Sequence, residues 1–204
     1  MDATHLATSI SAQLPEWVLA EVADVPPVLP AVEDRMRLVH RLAARNYVEK
    51  TGGPFAALVA DAETGEIISL GVNVVLASQK SSFHAEVTAL SLAQAKLGTW
   101  DLGALGAPRA ELVVNWRPCC MCYGATMWSG VERLVIAGEG EECERLTGFD
   151  EGPMRADWKE EFAERGIEVV TGVLRDEAIK VFTEYGQRDD VVVYNGRQRQ
   201  ALTG

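Results

Sequence analysis

Trp116-Arg117-Pro118-Cys119-Cys120-Met121-Cys122-Tyr123-Gly124-Ala125 follows an apolar run, Glu111-Leu112-Val113-Val114-Asn115, that reads as a strand, and it leads into a helical pattern. A strand that turns at once into a helix is the building unit of an α/β fold. Pro118 suits the first helical turn, where its missing N–H costs no hydrogen bond. Cys119 and Cys122 then lie three apart on one face, at the positive end of the helix dipole, which favours thiolate over thiol. Thiolates bind metals, and a Cys-x-x-Cys pair supplies two of the four positions around a zinc ion. Redox motifs and plain buried cysteines share this spacing, so the pair needs a partner to be informative.

That partner lies upstream. His84-Ala85-Glu86 opens a second helical pattern, continued by Val87, Leu90, Ala93 and Leu97. His84 makes a third ligand and leaves one zinc position for water, as a catalytic rather than a structural site requires. Glu86 is close enough to handle protons without binding the metal. His-x-Glu followed by Pro-Cys-x-x-Cys is an established signature of zinc nucleobase deaminases, and it is applied here as such. One alternative stays open: Cys120 or Cys143 could close the site as a fourth ligand and make the zinc a brace for a non-catalytic protein. Cys120 faces about 100° around the helix from the proposed ligands.

Composition narrows the field further. A chain of 204 residues suits one domain with a sizeable core, and 48% hydrophobic with 24% charged residues is ordinary for a globular protein. No basic start followed by an apolar run suggests a secretion leader. No apolar stretch approaches the roughly 20 residues that span a membrane. Four cysteines, two of them given to a metal as thiolates, point to a reducing, cytoplasmic compartment. The formal charge of −11 argues against nucleic acid, whose phosphates need a basic surface, and no Lys/Arg cluster lies near the motifs. Small neutral substrates fit better.

Around the motifs, residues 1–30 read as an irregular arm broken by Pro15, Pro26, Pro27 and Pro30, in which Leu14, Trp17, Val18 and Leu19 pack on the body or on a second subunit. His5 there has no partner at metal spacing. A helical pattern runs from Val32 to about Lys50; His40 within it is read as a surface or packed residue, not a ligand. After Thr51-Gly52-Gly53-Pro54, Phe55 to Ala60 is a first strand, Asp61 to Gly65 a hairpin turn, and Glu66 to Ala77 a second strand interrupted by the polar Asn73. An Asn in such a strand serves either a neighbouring loop or a ligand. Val131 to Ala137 is a fourth strand. Gly138 to Glu144 is an acidic loop or the start of a short helix, and 157–165 is amphipathic. Ile167 to Leu174 is a fifth strand, Asp176 to about Tyr185 a last helix, and 191–204 a tail. The expected architecture is α/β, a three-layer α-β-α sandwich around a five-stranded mixed sheet, with the main domain over 31–190.

Together His84-Ala85-Glu86 and Pro118-Cys119-x-Met121-Cys122-x-Gly124-Ala125 resemble the cytidine deaminase-like zinc superfamily, in the branch of guanine and tRNA adenosine deaminases. Gly52-Gly53-Pro54-Phe55, Asn73, Trp128 and Gly148-Phe149-Asp150-Glu151 make the chain most similar to bacterial guanine deaminases, over roughly residues 32–196. The resemblance implies one Zn2+ per subunit on His84, Cys119 and Cys122, with Glu86 as proton shuttle. It implies that Asn73 bonds the purine, that Phe55, Ala85 and Trp128 border the base, and that Asp150 or, preferably, Glu151 accepts from guanine and assists as a relay. A carboxylate is a two-lobed acceptor that suits guanine's neighbouring N1–H and amine. It also implies a homodimer and a lid role for Tyr194 and Asn195 in the tail. Two positions depart from the pattern: Arg117, where most relatives have Glu, and Phe83, where many have a small residue.

The expected reaction is hydrolytic deamination of guanine to xanthine and ammonia, with hydroxide generated at zinc attacking C2. The alternatives are another aminated ring (a triazine such as ammeline, a pterin or a cytosine derivative) and adenosine in tRNA.

Overall fold

The computed structural model describes residues 6–195; His5 and the tail beyond Asn195 lie outside the described residues. In chain order it contains α1 (Glu16–Glu21), α2 (Val32–Val48), β1 (Ala56–Asp61), β2 (Ile67–Val72), α3 (Val75–Ser78), α4 (Ala85–Leu97) and β3 (Ala110–Val114). These are followed by α5 (Cys120–Trp128), β4 (Arg133–Ile136), α6 (Glu142–Thr147), α7 (Trp158–Ala163), β5 (Glu168–Val170) and α8 (Arg175–Gly186).

The five strands form one sheet in the order β2-β1-β3-β4-β5. β1 runs antiparallel to both neighbours, pairing Ala56 with Val72 and Ala57 with Val114, whereas β3, β4 and β5 are parallel. Two antiparallel steps make β2 and β3 point the same way. The helices that follow them, α4 and α5, therefore start at the same edge of the sheet. This topology is what brings the two sequence motifs together.

The strand residues are apolar on both faces because helices cover both. Ala56, Leu58, Ala60, Val113 and Val135 pack with Met36, Leu42 and Phe182 of α2 and α8. Ala57, Val59, Leu112, Leu134 and Ile136 pack with Ala89, Leu90 and Phe162 of α4 and α7. The three-layer mixed sandwich expected from the sequence is thus present. One charged strand residue is fully buried: Glu111 in β3 is held by Arg35 Nε at 2.6 Å and Arg133 at 3.2 Å. Arg35 also donates to the carbonyls of Leu29 and Pro30, which ties the N-terminal segment to the sheet.

Several boundaries differ from the sequence reading. The segment 6–30 holds a short helix, α1, whose Val18 is buried and whose neighbour Trp17 donates its indole N–H to Thr51 at 3.0 Å; Leu19 is exposed. The second strand stops at Val72, not Ala77, because Asn73 caps a turn through Val75 N–H and α3 follows. The fifth strand shortens to Glu168–Val170, with Gly172 at φ +83° ending it. Pro118 precedes the helix: Cys119 is the N-cap, and Cys120 is the first helical residue.

Candidate active site

Two metal-binding residues of the sequence reading are helix N-caps with extended backbone, His84 (φ −66°, ψ 164°) for α4 and Cys119 (φ −65°, ψ 172°) for α5. Extended caps turn their side chains off the helix axis, here toward one another, while Cys122 follows one turn along α5. His84 Nδ1 lies 3.5 Å from Cys119 Sγ, and the ligand atoms of His84, Cys119 and Cys122 lie within 4.8 Å of one another. A tetrahedral zinc with Zn–N about 2.0–2.1 Å and Zn–S about 2.3 Å would put N and S about 3.6 Å apart, so the spacing fits. Among the described residues neither Cys120, which is exposed, nor Cys143, which is buried in α6, joins the cluster. Three side chains and a free fourth position are the donor set of a catalytic zinc.

The local electrostatics follow from crowding four acidic groups, Cys119, Cys122, Glu86 and Glu151, around the starts of α4 and α5. A hydrogen bond from the Cys122 thiol holds Cys119 down at about 4, against burial and with help from His84. The same bond, together with burial, pushes the Cys122 thiol well up. His84 is pulled down by burial, yet its bond to Cys119 and the charges of Glu86, Cys119 and Glu151 leave it raised overall. Glu86, in the first turn of α4 and only 6% exposed, is raised to about 7 by burial and by the Cys119 thiolate. Glu151 is raised to about 8 by burial, Cys119 and Glu86. A divalent cation in the cluster lowers all of these.

The cluster opens into a pocket bordered by Phe55, Asn73, His84, Glu86, Glu151 and Tyr194, with Val114, Trp116, Arg117, Phe149, Asp150 and Asn195 also on its wall. Glu151 is tied to the cysteine helix, its carbonyl accepting Cys120 N–H at 3.0 Å. Asp150 is exposed and spends one oxygen on Gly152 N–H at 2.8 Å, which leaves Glu151 as the better placed acceptor. The buried Asn73 accepts from Val75 N–H and from the Tyr194 hydroxyl.

Two expected site residues are placed elsewhere. Trp128 is 81% exposed at the end of α5 and borders a separate surface groove with Val87, Leu90 and Ala125. It stands six residues beyond Cys122, about 240° around the helix from it, and is not among the residues that border the pocket in this chain. Ala85 has no exposed surface and does not border the cavity; its side chain packs under the sheet with Val59 and Ala89. Other contributors were not singled out from sequence. Asn46 of α2 donates to Gly53 O at 2.7 Å and Asn73 O at 2.9 Å; Asn115 accepts from Ala56 N–H and donates to Pro54 O. The one signal for them was a polar amide inside an otherwise apolar pattern.

Residues 31–138 match the model of the cytidine and deoxycytidylate deaminase zinc-binding region. The chain is 34% identical over 110 residues to the guanine deaminase of Bacillus subtilis, covering 54% of this chain and 65% of that enzyme, just under two thirds of its length. It is 34% identical over 134 residues to the tRNA-specific adenosine deaminase of the same organism, covering 66% and 76%. Among solved structures, the guanine deaminase from Nitrosomonas europaea superposes with a TM-score of 0.81 at 44% identity, covering 89% of this chain and 98% of that one. With both motifs inside a match over more than half its length, the chain belongs to the cytidine and deoxycytidylate deaminase family and carries its zinc-binding region.

Proposed function

We propose that this chain hydrolyses the exocyclic amine of a purine base, converting guanine and water to xanthine and ammonia. The observation that carries the reading is the position of Glu86, a buried carboxylate that borders the pocket together with His84 of the His84, Cys119 and Cys122 donor set. His84, Cys119 and Cys122 would hold a zinc ion, which would supply hydroxide near neutral pH by lowering the pKa of a bound water from about 15.7 towards 7. Glu86 takes a proton from the attacking water and returns it to the ring nitrogen next to the reacting carbon. It then takes the remaining proton from the hydroxyl added at C2 and passes it to the amine as the C–N bond breaks, acting first as base and then as acid. Glu151, on the far wall, accepts the donors of the ring edge and orients C2. Asn73 supplies a further polar contact, and Phe55 and Phe149, in edge contact at 5.4 Å, exclude water around the ring.

The 44% identity to the Nitrosomonas europaea guanine deaminase over 89% of this chain supports guanine, as does the acidic balance of the chain, which disfavours an RNA substrate. Arg117 favours a second reading, another aminated heterocycle bearing an oxo or anionic group. Its side chain forms no hydrogen bond or ion pair among the described residues, its Nε is buried, and it borders the cavity. The same proposal takes 1–30 as an arm, 31–190 as the catalytic domain and 191–204 as a tail. It also takes the enzyme to be a cytoplasmic homodimer; no helix among the described residues is long and apolar enough to cross a membrane.

Ammonia release from the zinc-loaded protein tests the reading across guanine, ammeline, a pterin, cytosine and a tRNA anticodon stem. Guanine is expected to turn over fastest. An inert guanine with another ring consumed transfers the activity to that ring, and turnover of the tRNA alone overturns the small-molecule reading.

A further inference from the structure

The two ends of the Asn73 carboxamide are alike in shape and differ only in what they bond. A half-turn about χ2 exchanges them at almost no steric cost, so hydrogen-bond partners decide which end faces the cavity. Two donors settle the choice. Val75 N–H, which cannot accept, points at Oδ1 at 3.2 Å. The Tyr194 hydroxyl accepts Gly53 N–H at 2.7 Å and so has its one proton to give, and it gives it to Oδ1 at 2.7 Å. Gly52 leaves room for this junction: a Cβ there would stand 2.4 Å from Oδ1. With both donors on the oxygen, Nδ2 bonds no protein group among the described residues. It is the free end of a side chain that borders the cavity.

We propose that Tyr194 is a positioning residue that holds the Asn73 carboxamide with its N–H2 end toward the cavity, so that the site selects a ring presenting a hydrogen-bond acceptor at that point. A turned carboxamide would set Nδ2 against Val75 N–H, donor to donor, and leave the Tyr194 proton without an acceptor. The segment that carries Tyr194 also fixes the opposite wall. Asn195 accepts Asp150 N–H and donates to Gly148 O, both at 2.8 Å, on the loop that bears Glu151. One stretch of chain thus sets a donor on one side of the substrate and steadies an acceptor on the other. The choice of substrate rests on the guanine reading above; the geometry of the lock does not.

Tyr194→Phe keeps the ring and its edge contact with Phe149, 4.9 Å between centroids, and removes only the hydroxyl. The first measurement is kcat/KM for guanine, 3-deazaguanine and 7-deazaguanine, the analogues each replacing one ring acceptor nitrogen by C–H. In the wild type at least one analogue is expected to lose about tenfold or more, the worth of one hydrogen bond. In Tyr194→Phe that penalty shrinks to about threefold or less, whereas a general loss of structure lowers all three substrates alike. An unchanged penalty in the variant, or no penalty in the wild type, overturns the proposal. The second measurement needs no substrate. Side-chain amide resonances of Asn73 are expected as one sharp pair in the wild type and as a broadened or doubled set in Tyr194→Phe, with faster hydrogen exchange at Gly53 N–H. A single unshifted pair in the variant overturns the lock whatever base is used. Broadened resonances with guanine inert would instead reject the guanine reading and leave the role of Tyr194 in place.

Discussion

The main-chain carbonyl of Glu151 accepts the N–H of Cys120 at 3.0 Å, so the acidic loop on the far wall of the cavity and the first turn of the cysteine helix move as one piece. Gly152 makes this contact feasible. It sits at φ +71°, and a Cβ there would approach Cys120 Sγ to 2.6 Å. Gly152→Ala is therefore expected to cost about 1–2 kcal/mol from backbone conformation alone. It is also expected to lower kcat/KM for guanine by about tenfold or more by displacing Glu151, with zinc content unchanged. Steady-state kinetics and metal analysis decide the point; wild-type kinetics in the variant would show that the loop is not held by this junction.

Glu86 does its work with protons and not as a ligand. Glu86→Gln keeps the shape and removes the titrating group, so turnover should fall by about 10²–10⁴-fold while the protein still binds one zinc. Persistent turnover with zinc bound would reject the proton-shuttle assignment.

Zinc loading should be coupled to proton release. Cys119 is already a thiolate at neutral pH, whereas Cys122 holds its proton because of the bond to Cys119 and burial. Ligation requires both sulfurs as thiolates, so at least about one proton should appear per zinc bound, and affinity should weaken as pH falls. A pH-indicator titration of the chelator-treated protein measures this, and chelation should abolish turnover until zinc is restored. Zinc uptake without proton release would mean that Cys122 is not a ligand.

His40 makes stability pH-dependent away from the active site. Burial lowers its pKa below the ordinary value, although Glu177 lies 3.5 Å from Nδ1 and pulls the other way. The unfolded chain takes up the proton near pH 6.5 and the folded chain resists it. The contribution of His40 is thus fully present above about pH 6.5 and is lost as pH falls through that value towards the lower folded pKa. Urea midpoints should drop between about pH 7 and 5.5, and His40→Leu should flatten that part of the slope. An equal slope in the variant would assign the effect to other groups.

What the sequence made legible was local. His84-Ala85-Glu86 and Cys119-x-x-Cys122 each fit within one helix start, and the alternation of strands with helices placed both starts in an α/β sheet. What stayed hidden depended on contacts between distant segments. Tyr194 meets Asn73 across 121 residues, and Asn46 joins Gly53 to Asn73 from a helix whose pattern gave no reason to single it out. The apolar Val74 and Val75 suggest a longer second strand, yet the side chain of Asn73 turns the chain into α3. Trp128, which the resemblance places beside the base, lies on an exposed face of α5 and borders a separate groove in this chain.

Because β2 and β3 deliver their helices to one end of the sheet, the opposite end carries connections, among them the hairpin at 62–66 and the crossing at 98–109, where Leu105 is fully exposed and Gly106 has open space around it. β3 spans roughly 16 Å at about 3.3 Å per residue, so a fluorophore or surface tether placed near Leu105 stands a strand's length from the metal cluster. The chain therefore has a built-in handle: it can be immobilised by its back with the reacting mouth turned to the solution.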